Sequence, residues 1–242
     1  MTTDALILFL LLALLAEILG TVGGFGSSLF FVPIAGYFMD FHSVLAVTAL
    51  FHLSSNLIKI VVFRQGFNKN LILKVGIPAV LLVFVGAHLT RFLDTAFLEI
   101  GLSLFLIVLS LALLIFKNIE FQPNNVNAIT GGALSGFLAG LVGTGGAIRG
   151  LTLAAFGLDK MTFLATSAII DLGIDSSRSF AYFLNGFVKP DMLPLILWLM
   201  LVSIIGTYVG KKILFYISES QFKNIVLGLV LLTGIINLLH FV

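Results

Sequence analysis

The chain reads Gly20-Thr-Val-Gly-Gly-Phe-Gly26-Ser-Ser28 near its beginning and Gly140-Leu-Val-Gly-Thr-Gly-Gly146-Ala-Ile148 past its middle. Both segments have the spacing GxxGxxG, and their matching glycines lie 120 residues apart in a chain of 242 residues. That constant offset predicts an internal duplication. Because glycine destabilises the interior of a helix, each segment also predicts a break between two apolar helical segments.

The composition is that of an integral membrane protein. The residues are 60% hydrophobic and 10% charged, whereas about 25% charged is usual for soluble domains. The net charge of +2 is small and its Lys and Arg residues are dispersed, which argues against a nucleic-acid partner. The absence of Cys excludes disulfides and thiolate metal sites, and the sequence has no metal or cofactor motif. We therefore expect an all-α integral membrane protein without a metal or cofactor.

The apolar runs fall into two length classes. A helix needs about 20 residues to cross the hydrocarbon core of a bilayer. Six runs reach that length, namely 41–64, 71–91, 95–116, 161–185, 192–210 and 221–241, and four do not, namely 5–19, 28–39, 128–142 and 147–157. The short runs flank the two glycine breaks. Each pair is either one kinked crossing or a re-entrant hairpin whose two ends emerge on the same side of the membrane.

Loop charges favour the hairpin, because cytoplasmic loops carry the excess of Lys and Arg. Kinked crossings divide these residues evenly between the two sides. Hairpins leave Arg91 and Lys189 on one side, and they place six other loop cations on the opposite side, namely Arg64, Lys69, Lys117, Lys160, Lys211 and Lys212. We therefore predict that each repeat consists of a glycine-broken re-entrant hairpin followed by three transmembrane helices.

An odd number of full crossings inverts the second repeat relative to the first. The predicted architecture is one transmembrane domain over residues 1–242, with repeat one at 1–117, a linker at 118–127 and repeat two at 128–242. Both termini are expected on the non-cytoplasmic side of the cell membrane.

A hairpin tip inside the membrane exposes the first backbone amides of its second helix, which have no partner within that helix. With the helix dipole they form an anion site, and inverted symmetry brings two such tips together near the bilayer midplane. The alternative is that the glycines serve only close helix packing. The predicted substrate-binding residues are Gly23, Gly24, Gly26, Ser27, Ser28, Thr48, His52, Gly143, Gly145, Gly146, Arg149 and Thr166.

Ionisable residues inside predicted spans are functional candidates, because a charge in the bilayer is costly. Arg149 either binds the charge of the substrate or forms a structural ion pair. Asp171, Asp175 and Arg178 lie at i, i+4 and i+7 and therefore share one helix face. The two carboxylates either couple transport to a proton or cation or pair with the arginines. His52 either carries a coupled proton or is a hydrogen-bonded interior residue.

Three further features involve polar residues of the first repeat. Glu17 is expected to contact the cavity or to cap neighbouring backbone, and Lys59 is expected to snorkel to the cytoplasmic interface. The sequence Gly24-Phe-Gly26-Ser-Ser28 is similar to the Gly-x-Ser of an intramembrane serine protease with His52 as base. The second repeat has Ala147 and Ile148 in place of the serines, and no Gly follows the Ser to complete an elbow.

Both halves of the chain resemble the sulfite exporter family TauE/SafE, also called the toluene sulfonate uptake permeases. The resemblance lies in the first glycine segment with Leu29-Phe-Phe-Val-Pro33 and Ala46-Val-Thr48, and in Leu134-Ser-Gly-Phe-Leu-Ala-Gly140 through Gly146, Ala165-Thr-Ser167 and Asn185-Gly186. It implies a bacterial-type cytoplasmic-membrane carrier of small anions, often sulfur oxyanions or sulfonates, whose path is lined by both glycine loops and by the Thr48 and Thr166 regions. Arg149, Asp171 and Asp175 depart from the family pattern, which leaves a zwitterionic or cation-coupled substrate open.

The predicted function is secondary transport of a small anion, a sulfur oxyanion or a sulfonate, by alternating access around two half-helix N-termini. The expected partners are that anion, the lipid bilayer and a coupling proton or cation, and we expect no enzymatic activity. An anion channel of the same fold and an intramembrane hydrolase are the alternatives.

Overall fold

The computed structural model describes residues 2–64, 66–115 and 122–214, together with Tyr216, Ser218, Leu231, Ile235 and Leu238. The described residues form helices and turns and contain no strand. The helices of this part of the chain are α1 (Thr3–Gly23), α2 (Ser28–Gly36), α3 (Phe41–Val62), α4 (Lys69–Phe92), α5 (Thr95–Ile115), α6 (Asn125–Val142), α7 (Gly146–Ala154), α8 (Lys160–Leu184) and α9 (Pro190–Leu214). The predicted run at 221–241, apart from those isolated residues, and linker residues 118–121 lie outside the described residues.

Five of these helices, α1, α3, α4, α6 and α9, are long and apolar enough to cross a membrane. They confirm the prediction of an all-helical, multi-pass membrane protein. The prediction that four segments are shorter than a span was wrong for two of them, because α1 has 21 residues and α6 has 18. Helix α1 continues through Gly20 to Gly23, and α6 begins in residues assigned to the linker. The helices after the breaks, α2 and α7, are short, with nine residues each.

Both glycine segments end a helix in the same backbone conformation. Gly24 has φ 68° at the end of α1, and Gly143 has φ 80° at the end of α6. Glycine adopts this left-handed conformation without the steric cost that other residues incur. The chain then reverses, so that a Cβ atom on Gly20 would lie 2.3 Å from the backbone nitrogen of Ser27. A straight helix would place these residues about 10 Å apart.

The short helices run back along the helices that precede them. The rings of Phe9 and Phe38 lie 5.0 Å apart, far from the Gly20 end of α1, so α2 is antiparallel to α1. In the second pair of helices, Gly131 packs against the side chain of Thr152. Helix α7 is therefore antiparallel to α6 as well.

The longer helices form two sets that run in opposite directions. Helix α4 is parallel to α6 because Gly132, Gly136 and Gly140 pack, in that order, against the carbonyl groups of Val75, Ala79 and Val83. Gly140 therefore serves close helix packing, which is the alternative role that the sequence left open for these glycines. Helix α9 is parallel to α1, because Gly206 contacts Glu17 and Gly210 contacts Thr21. It is also parallel to α3, because Ser203 contacts Ser54 and Lys211 contacts Val62. Helix α8 is parallel to α4, because Ile170 contacts Gly76 and Gly173 contacts Val80. It is antiparallel to α3, because Asp175 contacts Asn56 and Arg178 contacts His52.

Candidate functional site

A small polar cavity lies where the two glycine breaks meet. The tips touch through a hydrogen bond of 3.2 Å between the hydroxyl groups of Ser28 and Thr144. They also touch through Gly146, where a Cβ atom would lie 1.7 Å from the carbonyl oxygen of Phe25. The cavity is lined by Gly26, Ser27, Ser28, His52, Asn56, Lys59, Ala139, Gly143, Gly145, Gly146, Arg149, Asp171, Ile174, Asp175 and Arg178. Its volume of about 20 Å³ has room for about one water molecule, so a larger ligand requires its walls to move apart.

The two helices that begin at this cavity, α2 and α7, lack side-chain caps. Among the seven other described helices, only α9, which begins with Pro190, shares this feature. A side-chain oxygen accepts a backbone N–H in the first turn of six helices, through Thr2, Asp40, Asn68, Asp94, Asn124 and Asp159. Neither Ser27 before α2 nor Gly145 before α7 makes such a bond. The first amides of α2 and α7 are therefore hydrogen-bond donors without a side-chain acceptor, and they carry the positive end of the helix dipole.

Arg149 of α7 lies between the two breaks. Its side chain is 4% exposed, its Nε donates to Ser167 Oγ at 3.2 Å, and its Nη1 pairs with Asp171 Oδ1. Its Nη2 lies 3.7 Å from the Cβ position of Gly26 and 3.5 Å from that of Gly146. The guanidinium group is thus close to both tips, and Asp171 is its counterion.

Arg178 of α8 forms the second ion pair. Its Nε donates to Asp175 Oδ1 at 2.7 Å, and its Nη1 donates to the carbonyl oxygen of Gly143 at 2.8 Å. The other carboxylate oxygen of Asp175 accepts a hydrogen bond of 2.6 Å from Asn56 Nδ2. This arrangement ties the second break to α8 and holds Asp175 from two sides.

His52 joins the two halves of the site, and its partners determine its tautomer. Nη2 of Arg178 lies 3.2 Å from His52 Nδ1. Because arginine only donates, Nδ1 accepts and Nε2 carries the proton. Nε2 therefore donates to Ser27 Oγ at 2.9 Å, and Ser27 donates to Glu17 Oε2 at 2.6 Å. A protonated Nε2 cannot accept the hydroxyl proton of Ser27, so this geometry is not that of a serine nucleophile and its base.

Glu17 and Lys59 form a buried ion pair behind the first tip. Glu17 is fully buried, and its Oε1 lies 2.8 Å from Lys59 Nζ. The same oxygen accepts hydrogen bonds from Thr21, Ser55 and Thr207. The prediction that Lys59 reaches the interface was wrong, because Glu17 supplies a counterion inside the protein. The missed signal was a second unpaired charge in an apolar segment, since buried charges are rarely unpaired.

Four predicted site residues do not line the cavity, namely Gly23, Gly24, Thr48 and Thr166. The hydroxyl of Thr48 donates to the carbonyl oxygen of Val44 at 2.6 Å, within its own helix. The hydroxyl of Thr166 accepts the backbone N–H of Asn68 at 2.9 Å. Both threonines are thus hydrogen-bonded to backbone, while the tip residues, His52 and the ionisable residues of α7 and α8 come together.

Helices α3 and α8 carry polar side chains at positions that are separated by a constant number of residues. The caps Asp40 and Asp159 lie 119 residues apart in the sequence, as do Gly24 and Gly143, which is one residue fewer than the offset of 120 between the GxxGxxG segments. The same offset relates Thr48 to Ser167, His52 to Asp171, Asn56 to Asp175 and Lys59 to Arg178. Of these eight residues, His52, Asn56, Lys59, Asp171, Asp175 and Arg178 line the cavity.

A buried polar cavity between two interrupted helices of a membrane protein is the type of substrate site found in secondary transporters. A family model described as Sulfite exporter TauE/SafE matches residues 9–236 of the chain. The chain therefore belongs to the TauE/SafE sulfite exporter family, as its sequence predicted. Comparison with curated proteins and with solved structures gave no match. The family is one of membrane transporters for sulfur anions, which confirms the predicted class of protein.

Proposed function

We propose that the protein is a secondary transporter that binds a small sulfur oxyanion or sulfonate between the N-termini of α2 and α7. The observation that carries this proposal is that two uncapped helix starts face one buried cavity, whereas six of the seven other described helices have side-chain caps. An anion accepts hydrogen bonds from such amides and is stabilised by the helix dipoles. The substrate thus takes the place of the missing caps.

Arg149 provides the positive charge of the site. The amides of Ser28 and Gly146 and the hydroxyl of Ser28 are the donors that we assign to the tips, whereas the Ser27 hydroxyl already donates to Glu17. The second cation, Arg178, is held by Asp175, His52 and backbone carbonyl groups. We assign Arg178 to fixing the second tip in place, and Arg149 to the charge of the substrate.

The directions of the helices support an arrangement of two inverted repeats. Under the offset of 119 residues, α1 corresponds to α6, α2 to α7, α3 to α8 and α4 to α9. The contacts of the longer helices give opposite directions to the members of each pair. Two re-entrant hairpins then enter from opposite faces, and each face can open in turn.

Loop charges orient this arrangement in the membrane. In this arrangement Arg91 and Lys189 lie on one face, and Arg64, Lys69, Lys160, Lys211 and Lys212 lie on the other. Because cytoplasmic loops carry the excess of basic residues, the second face is cytoplasmic and the N-terminus lies on the opposite side of the cell membrane.

Flux measurements in liposomes test this function. Purified protein should show saturable uptake and counterflow of labelled sulfite, thiosulfate or methanesulfonate. Arg149→Gln should lower kcat/KM by roughly 10- to 150-fold, the equivalent of about 1.5–3 kcal/mol for hydrogen bonds to a charged group. Arg91→Gln is the matched control, because Arg91 lies outside the cavity over the ring of Phe92.

Two results would contradict the proposal. Unchanged uptake by a folded Arg149→Gln protein would remove Arg149 from the site. Single-channel currents without counterflow would identify an anion channel instead of a carrier, since a channel site must release ions quickly.

A further inference from the structure

We propose that Asp171 is an internal competitor of the substrate: its carboxylate occupies Arg149 in this conformation, and an anion binds by replacing it while Asp171 takes up one proton. This inference rests on the proposed function, and it names the residue that couples a proton to the same site.

The two aspartates of α8 are held differently. Asp175 accepts hydrogen bonds from Arg178 and Asn56, on two different helices, and its side chain is 5% exposed. Asp171 pairs with Arg149, and its side chain is 16% exposed at the cavity. Asp171 can therefore leave its partner with fewer contacts broken, and the guanidinium group it releases already lies between the two tips.

The charges around the cavity balance before a substrate enters. Among the described residues, the ionisable groups around Asp171 are Arg149 on α7, Lys59 and His52 on α3, Asp175 and Arg178 on α8, and Glu17 on α1 behind Lys59. Three cations thus face three carboxylates, with His52 neutral. A bound monoanion leaves one uncompensated negative charge, and burying such a charge is strongly unfavourable.

A proton on Asp171 removes that charge and ends the competition for Arg149. A neutral carboxyl group no longer forms an ion pair, so the guanidinium group is free for the anion. The equivalent residue on α3 is His52, which is engaged by Ser27 and Arg178 through both ring nitrogens. The two halves of the site therefore differ, and the exchange is specific to the second.

The direct test counts protons on the wild-type protein. Methanesulfonate is a monoanion that stays fully deprotonated at neutral pH, so any proton taken up on its binding goes to the protein. Titration of detergent-solubilised protein in weak buffer should show uptake of about one proton per bound anion. Above the pH at which Asp171 ionises, the apparent Kd should rise about tenfold per pH unit, as expected for linkage to one proton.

The variant Asp171→Asn tests the assignment to this residue. Asn removes the competing charge, so the anion should bind at least about tenfold more tightly at neutral pH, with a Kd independent of pH. Asp40→Asn is the matched control, because Asp40 lies in an exposed ion pair with Lys189 and should keep the wild-type Kd and its pH dependence.

The outcomes separate this inference from the proposed function. Anion binding to the wild-type protein without proton uptake would overturn the exchange and leave the transporter in place. A wild-type pH dependence in folded Asp171→Asn would assign the proton to another group and overturn it as well. If sulfite, thiosulfate and methanesulfonate all fail to bind the wild-type protein, the proposed function itself fails.

Discussion

The buried pair of Glu17 and Lys59 offers a sharp test of how the first tip is held. The substitution Glu17→Gln keeps the shape of the side chain and removes its charge. Glutamine retains one oxygen that can accept from the neighbouring hydroxyl groups. The Lys59 ammonium group, whose side chain is 10% exposed, then loses the carboxylate that lies 2.8 Å from its Nζ atom.

The expected loss of stability follows from that uncompensated charge. Removing one partner of a buried ion pair costs about 3–5 kcal/mol. At about 2–4 °C per kcal/mol for a chain of this size, Glu17→Gln should lower the Tm by about 6–20 °C. Because Ser27 also loses a charged acceptor, the first tip should loosen and anion binding should weaken in parallel.

Thermal unfolding of the purified protein in detergent measures this effect. The double variant Glu17→Gln/Lys59→Met removes the isolated charge and should recover at least about half of the lost Tm, since the charge is the main cost. Asp40→Asn, in an exposed pair with a separation of 3.7 Å, should change stability by less than about 1 kcal/mol. A Tm within the error of wild type for Glu17→Gln, or a double variant as unstable as the single one, would show that the uncompensated charge of Lys59 is not the main cost.

Two further substitutions test the tip contact and the second ion pair. Gly146→Ala should abolish uptake and lower the Tm, because its Cβ would lie 1.7 Å from the carbonyl oxygen of Phe25. The control Gly36→Ala should do neither, because Gly36 has open space around it. Normal uptake by Gly146→Ala would show that the tips need not touch. Arg178→Lys should reduce liposome uptake as much as Arg178→Ala, because an ammonium group cannot reproduce the forked contacts to Gly143 and its other partners. Uptake near the wild-type level in the Lys variant would contradict the role of Arg178 in fixing the second tip.

Features set by local chemistry were readable from the sequence. Hydropathy identified the helices and the membrane, because crossing the hydrocarbon core imposes a length that few other constraints require. The glycine clusters marked the breaks, since Gly24 and Gly143 adopt a backbone conformation that other residues resist. The end of the first helix was predicted too early, before Gly20, whereas the helix continues to Gly23. Gly20 lies inside the helix because the close approach of Ser27 requires a residue without a side chain there.

Features set by distant partners were not readable. Lys59 is buried because Glu17, two helices earlier, faces it. The pairing of Arg149 with Asp171 depends on how α7 packs against α8. Arg178 and Asp175 lie three residues apart on α8, so the spacing along that helix already allows their pairing. The hydroxyl of Thr48 donates to backbone in its own helix, an option that Ser and Thr have in any helix.

A heavier isostere of sulfite can locate the bound anion in the protein. Selenite has the shape and charge of sulfite, and selenium gives an anomalous X-ray signal in crystals of the protein. The account predicts one strong peak within hydrogen-bonding reach of the first amides of α2 and α7 and of the Arg149 guanidinium group, with Asp171 displaced. A selenium peak elsewhere in the protein, with the two tips still in contact and the Arg149–Asp171 pair intact, would contradict it.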